Sequence, residues 1–555
     1  MPADTPRRIV TIGGVAAGMS AATRLRRRDE RAEIIVLERT GHVSFANCGL
    51  PYYLGGTIGE RGDLLLQTPE RLASRFRLDV RVHSDVTEID PAMQTVTVAT
   101  PVGITTLYYD ELVLATGASP LRPDIPGSER MLALRSIEDT DRIHAELAAL
   151  PAGSPVVIVG AGYIGLELAE TLTHRGFAVT LVQRAPQVLG TLDLEMVGPV
   201  ADHLRAHGVD LRLDTTVTEI TTSGVALDDG TTVDTQVVIA AIGVRPESDL
   251  ARAAGIALGP DGGIRVDSQH RTSAPHVYAV GDVAHKVSAV DGSDRLIMLA
   301  GPANRDGRYL ADAIAGDTIT TRPALGTAIL QLFGMTVASL GTTERELRAA
   351  GREIRVIHTH PASHATYYPG AESLSIKLIV GATTDLILGA QAVGGSGVDK
   401  RIDVISTAMT AGLTASALAD LELAYAPQYG SAKDPVNMLG YVARNLRDGL
   451  TRSIQWHELD AEMHAGSVLV DVRTPAEFAA GSIPGAVNMP LDDLRDRAGE
   501  LDGHRVVVHC QVGQRGHTAA RLLTQLGVDA VNLDGGYRTW LAGANTRQPE
   551  NIGAL

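Results

Sequence analysis

Twice in this chain an apolar strand runs into a glycine-rich turn and then a helix, and the two occurrences lie about 145 residues apart. The first begins at Arg8-Ile9-Val10-Thr11-Ile12-Gly13-Gly14, continues through a predicted helix over 16–28, and reaches a second strand over 33–38 ending at Glu38. The second begins at Val156–Val159, turns through Gly160-Ala161-Gly162-Tyr163-Ile164-Gly165, and reaches the strand Ala178–Val182. Each is a βαβ unit, which requires a parallel sheet with the helix on one face. The separation is too long for a solenoid repeat.

A glycine turn at a helix start brings backbone N–H groups and the positive helix end to a pyrophosphate. In the first unit Gly13, Gly14 and Gly18 form this turn, with Val15 at one glycine position, and Glu38 is placed to accept from ribose hydroxyls. The second unit keeps Gly160, Gly162 and Gly165 in register and adds Glu167. Gln183 and Arg184 stand where an NAD-preferring site usually carries an acid, which removes repulsion of a 2′-phosphate and leaves NADH or NADPH open. Two dinucleotide sites imply one tightly held cofactor and one exchanging partner. Strand endings at Leu112–Gly117 and His276–Asp282 fit this scheme. Thr116 and Gly117 are expected at the cofactor, and Asp282 is placed to hydrogen-bond a flavin ribityl hydroxyl.

The bulk composition narrows the class. The chain has 555 residues, a formal charge of −16 and no long basic block, which disfavours a nucleic-acid partner. Only two cysteines are present, Cys48 and Cys510, too few for a disulfide-stapled fold. The N-terminal residues lack the pattern of a signal peptide, and no apolar run reaches membrane-spanning length, so no membrane partner is expected and the cytoplasm is the expected location.

Each cysteine sits in a distinctive segment. Ser44-Phe45-Ala46-Asn47-Cys48-Gly49-Leu50-Pro51-Tyr52-Tyr53 resembles the active-site segment of the single-cysteine pyridine nucleotide-disulfide oxidoreductases, especially the coenzyme A-disulfide reductases and NADH-dependent persulfide reductases. The resemblance covers 8–449. Cys48 has no C-x4-C partner, so it is expected to cycle through a mixed disulfide or persulfide, and a helix N-terminus and oxidised flavin are expected to lower its pKa.

The resemblance implies an α/β fold with two Rossmann-like dinucleotide-binding domains and an α+β dimerisation domain. The expected boundaries are 1–120 and 249–325 for the FAD-binding domain, 121–248 for the NAD(P)-binding domain and 326–449 for the dimerisation domain. It implies FAD and NADH or NADPH as cofactors, and coenzyme A as substrate or bound mixed disulfide. It also implies a homodimer with active sites shared between subunits, acting on small thiol, persulfide or disulfide molecules.

Among site residues, the resemblance places Ser44 and Asn47 at the substrate thiol, Ser20 among the substrate-binding residues, and Arg24, Arg27 and Arg75 with coenzyme A phosphates. Asn304 is expected at substrate and Ala303 at flavin; Lys433 matches a coenzyme A contact. Tyr367 and Tyr425 are expected to reach the partner subunit's cysteine and donate to a departing thiolate. A solvated basic helix face is the alternative for Arg24–Arg28, and core aromatics for the tyrosines.

Beyond a linker near Arg447–Ser453, residues 453–550 carry Ser467–Phe478, Gly481–Ala486 and Val506-Val507-Val508-His509-Cys510-Gln511-Val512-Gly513-Gln514-Arg515-Gly516. This resembles a rhodanese domain, of α/β fold. A strand-ending cysteine before a short loop and helix points successive N–H groups at the sulfur, and Arg515 adds positive charge. The combined expectation is an FAD-dependent NAD(P)H oxidoreductase reducing coenzyme A disulfide, coenzyme A persulfide or polysulfide through Cys48, with Cys510 handling sulfane sulfur. The alternatives are an NAD(P)H oxidase or peroxidase using a cysteine sulfenic acid, and a sulfurtransferase with a regulatory flavin module.

Overall fold

The computed structural model describes residues 6–547. Two compact units account for them. One contains the residues up to Ala185 together with Gly208–Gly326; the other contains Pro186–His207 and the chain from Thr327 onward.

In the first unit the strand Arg8–Ile12 is central to a parallel five-stranded sheet, flanked by Glu33–Leu37 and Glu111–Leu114, with Asp79–Arg81 and Val277–Ala279 at the edges. Both faces of such a sheet are covered, so its strands read as continuous apolar runs. Alternate side chains divide between two cores. Ile9, Ile34, Val36 and Val113 face one, and Val10, Ile12, Ile35, Leu37, Leu112 and Leu114 face the other. Fully burying each large aliphatic side chain contributes roughly 1.5–3 kcal/mol. The helices Ala16–Arg28 and Ala300–Ile314 cross on the first face, so closely that a Cβ on Gly307 would lie 2.4 Å from the Ala17 carbonyl oxygen.

A second parallel sheet runs in the order Asp210–Arg212, Ala178–Val182, Pro155–Val159, Val237–Ala240 and Leu132–Ala133. In both sheets the order reverses beside the strand that leads into the glycine turn. That switch point opens a crevice beyond the carboxyl ends of the strands, where a dinucleotide binds.

The second unit holds an antiparallel sheet, Ala328–Leu332, Met335–Gly341, Ile387–Gly394, Leu374–Gly381 and Ile354–Thr359, backed by the helices Val398–Thr410 and Pro435–Arg447. It also holds a parallel sheet in the order Ser453–Ile454, Asp529–Leu533, Arg505–His509, Val468–Asp471 and Val487–Asn488.

Pro186–His207 lies inside the stretch expected to form the nicotinamide domain, yet it packs in this second unit. Buried ions explain the attachment. Lys377, fully buried, places its Nζ 2.9 Å from Asp193, 2.5 Å from Glu195 and 2.7 Å from Glu344. These three carboxylates are grouped as metal ligands would be, and the lysine ammonium supplies the cation they require. His358 extends the network, 3.0 Å from Glu195 and 2.7 Å from Asp534 at the end of the last parallel sheet. No helix among the described residues is long and apolar enough to cross a membrane.

Candidate active site

The two glycine turns have the same backbone. Gly13 and Gly160 both take φ +105°, a region that L side chains rarely adopt. A Cβ at Gly13 would lie 2.2 Å from the Ala115 carbonyl oxygen, and one at Gly18 would lie 2.0 Å from that of Gly13. At Gly165 it would lie 1.9 Å from the Gly160 carbonyl oxygen, whereas Gly162 faces open space. In the first turn the buried Glu38 accepts from Gly14 N at 2.9 Å and from Thr40 N and Oγ1, both at 2.9 Å. It lines a cavity of about 230 Å³ with Gly13, Arg39, Thr116 and Glu247. In the second turn Gln183 does the equivalent work with a neutral amide, Oε1 accepting from Ala161 N at 3.1 Å, and Arg184 is exposed beside it. Close backbone approach, the N-terminus of the following helix and a carboxylate at the strand end suit FAD in the first cradle. The second suits a nicotinamide dinucleotide.

The cysteine segment is tied to the first cradle. Ser44, in the left-handed region at φ +48°, donates its N–H to the Gly14 carbonyl at 2.8 Å. From there Asn47-Cys48-Gly49 forms one turn of 3-10 helix leading into the short helix Leu50–Leu54. Cys48 is exposed. Beside it, the buried Oδ1 of Asn47 has no hydrogen-bond partner among the described residues.

The expected lowering of the Cys48 pKa is not what the chain's own charges produce. Partial burial raises it, and the carboxylates of Glu167 and Asp282 raise it further. Glu167 stands on the helix Tyr163–His174 of the nicotinamide cradle and accepts from Tyr52 Oη at 3.1 Å. Desolvation pushes the Glu167 carboxyl above its ordinary range against that hydrogen bond. The five-residue helix after Cys48 is too short to offset two nearby carboxylates.

The predicted substrate residues on the first helix divide. Arg24 is paired with Asp312 at 2.8 Å, and Arg26 is spent on the carbonyls of Phe76, Arg77, Asp29 and Glu30. Arg27 instead lies over the Phe76 ring, and burial with the neighbouring Arg24 and Arg308 lowers its pKa. Repulsion among guanidiniums favours an anion there. Ser20 Oγ donates to Asn304 Oδ1 at 2.5 Å, joining two predicted substrate residues across the helix crossing. Ala303 is buried in the core, and its N–H is used on Leu299. Thr116 Oγ1 donates to the Glu247 carbonyl, and Asp282 lies 3.8 Å from Arg135, whose Nη2 sits 2.9 Å from where a Cβ on Gly117 would project. Arg75 is exposed.

In the second unit, Tyr367 and Tyr425 are largely exposed and share a hydrogen bond of 2.8 Å between hydroxyls; Lys433 is also exposed. Cys510 follows the strand Arg505–His509 and precedes the helix Gln514–Gln525. Arg515 lies within Coulomb range of the Cys510 thiol and pairs with Glu477 through two hydrogen bonds, 2.8 and 2.6 Å.

Residues 7–307 match the family model described as pyridine nucleotide-disulphide oxidoreductase, and residues 328–435 match its dimerisation domain. The chain belongs to this family. Residues 455–543 match the rhodanese-like domain. The coenzyme A disulfide reductase of Staphylococcus haemolyticus (strain JCSC1435) is 34% identical over 443 residues, 79% of this chain and 100% of that protein. Reduced Bacillus anthracis CoADR-RHD superimposes with a TM-score of 0.96 at 44% identity, covering 98% of this chain and 99% of that one. A NAD-dependent persulfide reductase from A. fulgidus has a TM-score of 0.88 at 36% identity, covering 96% and 100%.

As a pyridine nucleotide-disulphide oxidoreductase the chain is a flavoprotein oxidoreductase using FAD and NAD(H), fused to a rhodanese-like domain. Some elements of its sites escaped motif reading. The Tyr52–Glu167 pair spans 115 residues and the Glu477–Arg515 pair 38. Tyr52 and Glu167 both lie inside recognised motifs, but only their spatial meeting shows that they act as one polar unit.

Proposed function

We propose that this enzyme reduces coenzyme A disulfide, coenzyme A persulfide or polysulfide through Cys48, while Cys510 accepts or delivers sulfane sulfur. The observation that carries this is an exposed lone cysteine hydrogen-bonded through its own segment to the first glycine cradle, with Glu167 of the second cradle within Coulomb range. The likeness to a coenzyme A disulfide reductase and to a persulfide reductase supports the substrate class.

The Cys48 thiolate attacks one sulfur of the substrate S–S bond. A Cys48 mixed disulfide or persulfide forms, and the other sulfur departs as thiolate with the bonding electron pair. FAD, when bound in the first cradle, supplies the two-electron relay from reduced nicotinamide that releases the second thiol or sulfide. Tyr367 and Tyr425 of a second subunit donate a proton to the departing thiolate in a homodimer. Arg27 and Lys433 hold phosphate oxygens of the coenzyme A moiety, and the paired Ser20 and Asn304 contact the same substrate.

The test is anaerobic turnover of NADH and NADPH with coenzyme A persulfide, coenzyme A disulfide and polysulfide in wild type, Cys48→Ser and Cys510→Ser. Cys48→Ser is expected to abolish thiol and sulfide release, and Cys510→Ser to slow only certain sulfur donors. Turnover that survives loss of Cys48 but not of Cys510 overturns the assignment.

A further inference from the structure

The charges around Cys510 are unusually well matched. Cys510 is fully buried, and its loop is held by Tyr537 N–H on the Cys510 carbonyl at 2.8 Å and Arg538 N–H on that of Gln511 at 3.0 Å. The loop contributes Gln511, Val512, Gly513 and Gln514, all uncharged, before Arg515. Three guanidiniums lie near it. Arg473 is consumed by Asp471 at 2.7 Å, by the Gly481 carbonyl at 2.6 Å and by Gln511 Oε1 at 2.9 Å, and it stacks 4.4 Å from the Tyr537 ring centre. Arg538 directs its guanidinium to Ser373 Oγ at 2.5 Å, on the antiparallel-sheet side. Of the three, Arg515 stands on the helix that follows the Cys510 loop, within Coulomb range of the sulfur, and both Glu477 carboxylate oxygens neutralise it. His509, buried before the cysteine, is held neutral at pH 7 by desolvation.

A dianionic sulfur donor brings two charges into this loop and leaves as a dianion. Removing those charges from water is costly unless free cations meet them. A persulfide R–S–SH brings at most one charge on sulfur and leaves as a monoanionic thiolate.

We propose that Glu477 sets the donor specificity of the rhodanese-type site: by neutralising Arg515 it selects a persulfide and discriminates against thiosulfate. This rests on the reading that Cys510 carries sulfane sulfur. In the step concerned, the Cys510 thiolate attacks the outer sulfur of the donor. The Cys510 Sγ–S bond forms, the donor S–S bond breaks, and R–S⁻ (or sulfite, from thiosulfate) departs with the bonding pair. No net oxidation occurs, and an acceptor thiolate or cyanide then removes the sulfur from Cys510. Glu477 is a positioning residue, acting through Arg515.

Glu477→Gln removes the charge and keeps a side-chain acceptor for the Thr474 cap at the start of its helix, where the carboxylate lies 2.9 Å from Thr474 N. The experiment measures thiocyanate formation by the full-length holoenzyme from glutathione persulfide and from thiosulfate, with cyanide as acceptor, in wild type, Glu477→Gln and Cys510→Ser. Wild type is expected to favour persulfide in kcat/KM by about tenfold or more, and Glu477→Gln to raise the thiosulfate-to-persulfide ratio by about tenfold. A merely structural role for Glu477 lowers both donors together and leaves the ratio unmoved, which overturns the proposal. So does a wild type that prefers thiosulfate, a readout that needs no variant. Thiocyanate formation that persists in Cys510→Ser instead overturns the underlying sulfur-carrier reading, and this inference with it.

Discussion

Tyr367 and Tyr425, 58 residues apart in the chain, hold their hydroxyls 2.8 Å from each other on an exposed surface of the second unit. Large exposed aromatics usually mark a surface that another molecule covers. The shared hydrogen bond raises the Tyr367 pKa, so its phenol stays protonated and able to donate at neutral pH.

Tyr367→Phe and Tyr425→Phe are each expected to lower kcat for coenzyme A disulfide by about tenfold to a hundredfold. The double variant is expected to be little worse than the poorer single one, because the two hydroxyls act as a unit. Steady-state NADH oxidation with the disulfide gives the three values. Strictly additive losses would show that the tyrosines act independently.

Gly18→Ala places a methyl 2.0 Å from the Gly13 carbonyl oxygen, a contact the backbone must move to relieve. Bound flavin is expected to fall well below one per chain, read from the absorbance of purified protein. Gly162→Ala is the contrast: no protein atom lies within 4 Å of the position its methyl would take, so the fold and bound flavin are expected to survive, while nicotinamide binding is expected to weaken because the methyl stands where the backbone must approach a pyrophosphate.

Glu167 raises the Cys48 pKa by its charge, so Glu167→Gln is expected to shift the pH midpoint of Cys48 alkylation downward. Iodoacetamide labelling across pH 6–10 measures it, with labelling at pH 7 faster in the variant. An unchanged midpoint would mean that burial alone controls the thiol. The Tyr52→Phe variant leaves the carboxylate without its 3.1 Å phenol partner and is expected to keep the midpoint high.

His358 is fully buried, and burial opposes its charge. Hydrogen bonds and Coulomb attraction to Asp534 and Glu195 outweigh this and raise its pKa from 6.5 to about 9. A group raised on folding adds stability that is complete below its unfolded pKa and fades as pH rises through the folded one. Stability is therefore expected to decline between about pH 7 and 9, by no more than about 3 kcal/mol from this group. Urea midpoints across that window measure it. His358→Gln is expected to be less stable at pH 7 and to lose most of the alkaline slope.

The order of βαβ units, the cysteine segment and the Cys510 loop were legible because each is local. A glycine at φ +105° or a strand-ending cysteine is specified by residues adjacent in sequence, and the observed helix Ala16–Arg28 and strand Ala178–Val182 match the predicted limits. The electrostatics were not legible in the same way. The lowered pKa expected for Cys48 considered only its own helix and the flavin, whereas burial raises it and the carboxylates of Glu167 and Asp282, more than a hundred residues away in sequence, raise it further. The Asp312 partner of Arg24 and the Lys377 ammonium among the acids of Pro186–His207 likewise come from segments far away in the chain.

The sequence by itself determined the local frame: two dinucleotide cradles, one cysteine in a distinctive segment near the first, and a second cysteine at a strand end in a domain of its own. Only the tertiary structure decided which charges are free. Coulomb and desolvation energies depend on distance and burial, and those follow from packing between remote segments. Among the described residues Arg27 therefore lies over an aromatic ring beside other guanidiniums, while Arg24 and Arg515 are each held by a carboxylate.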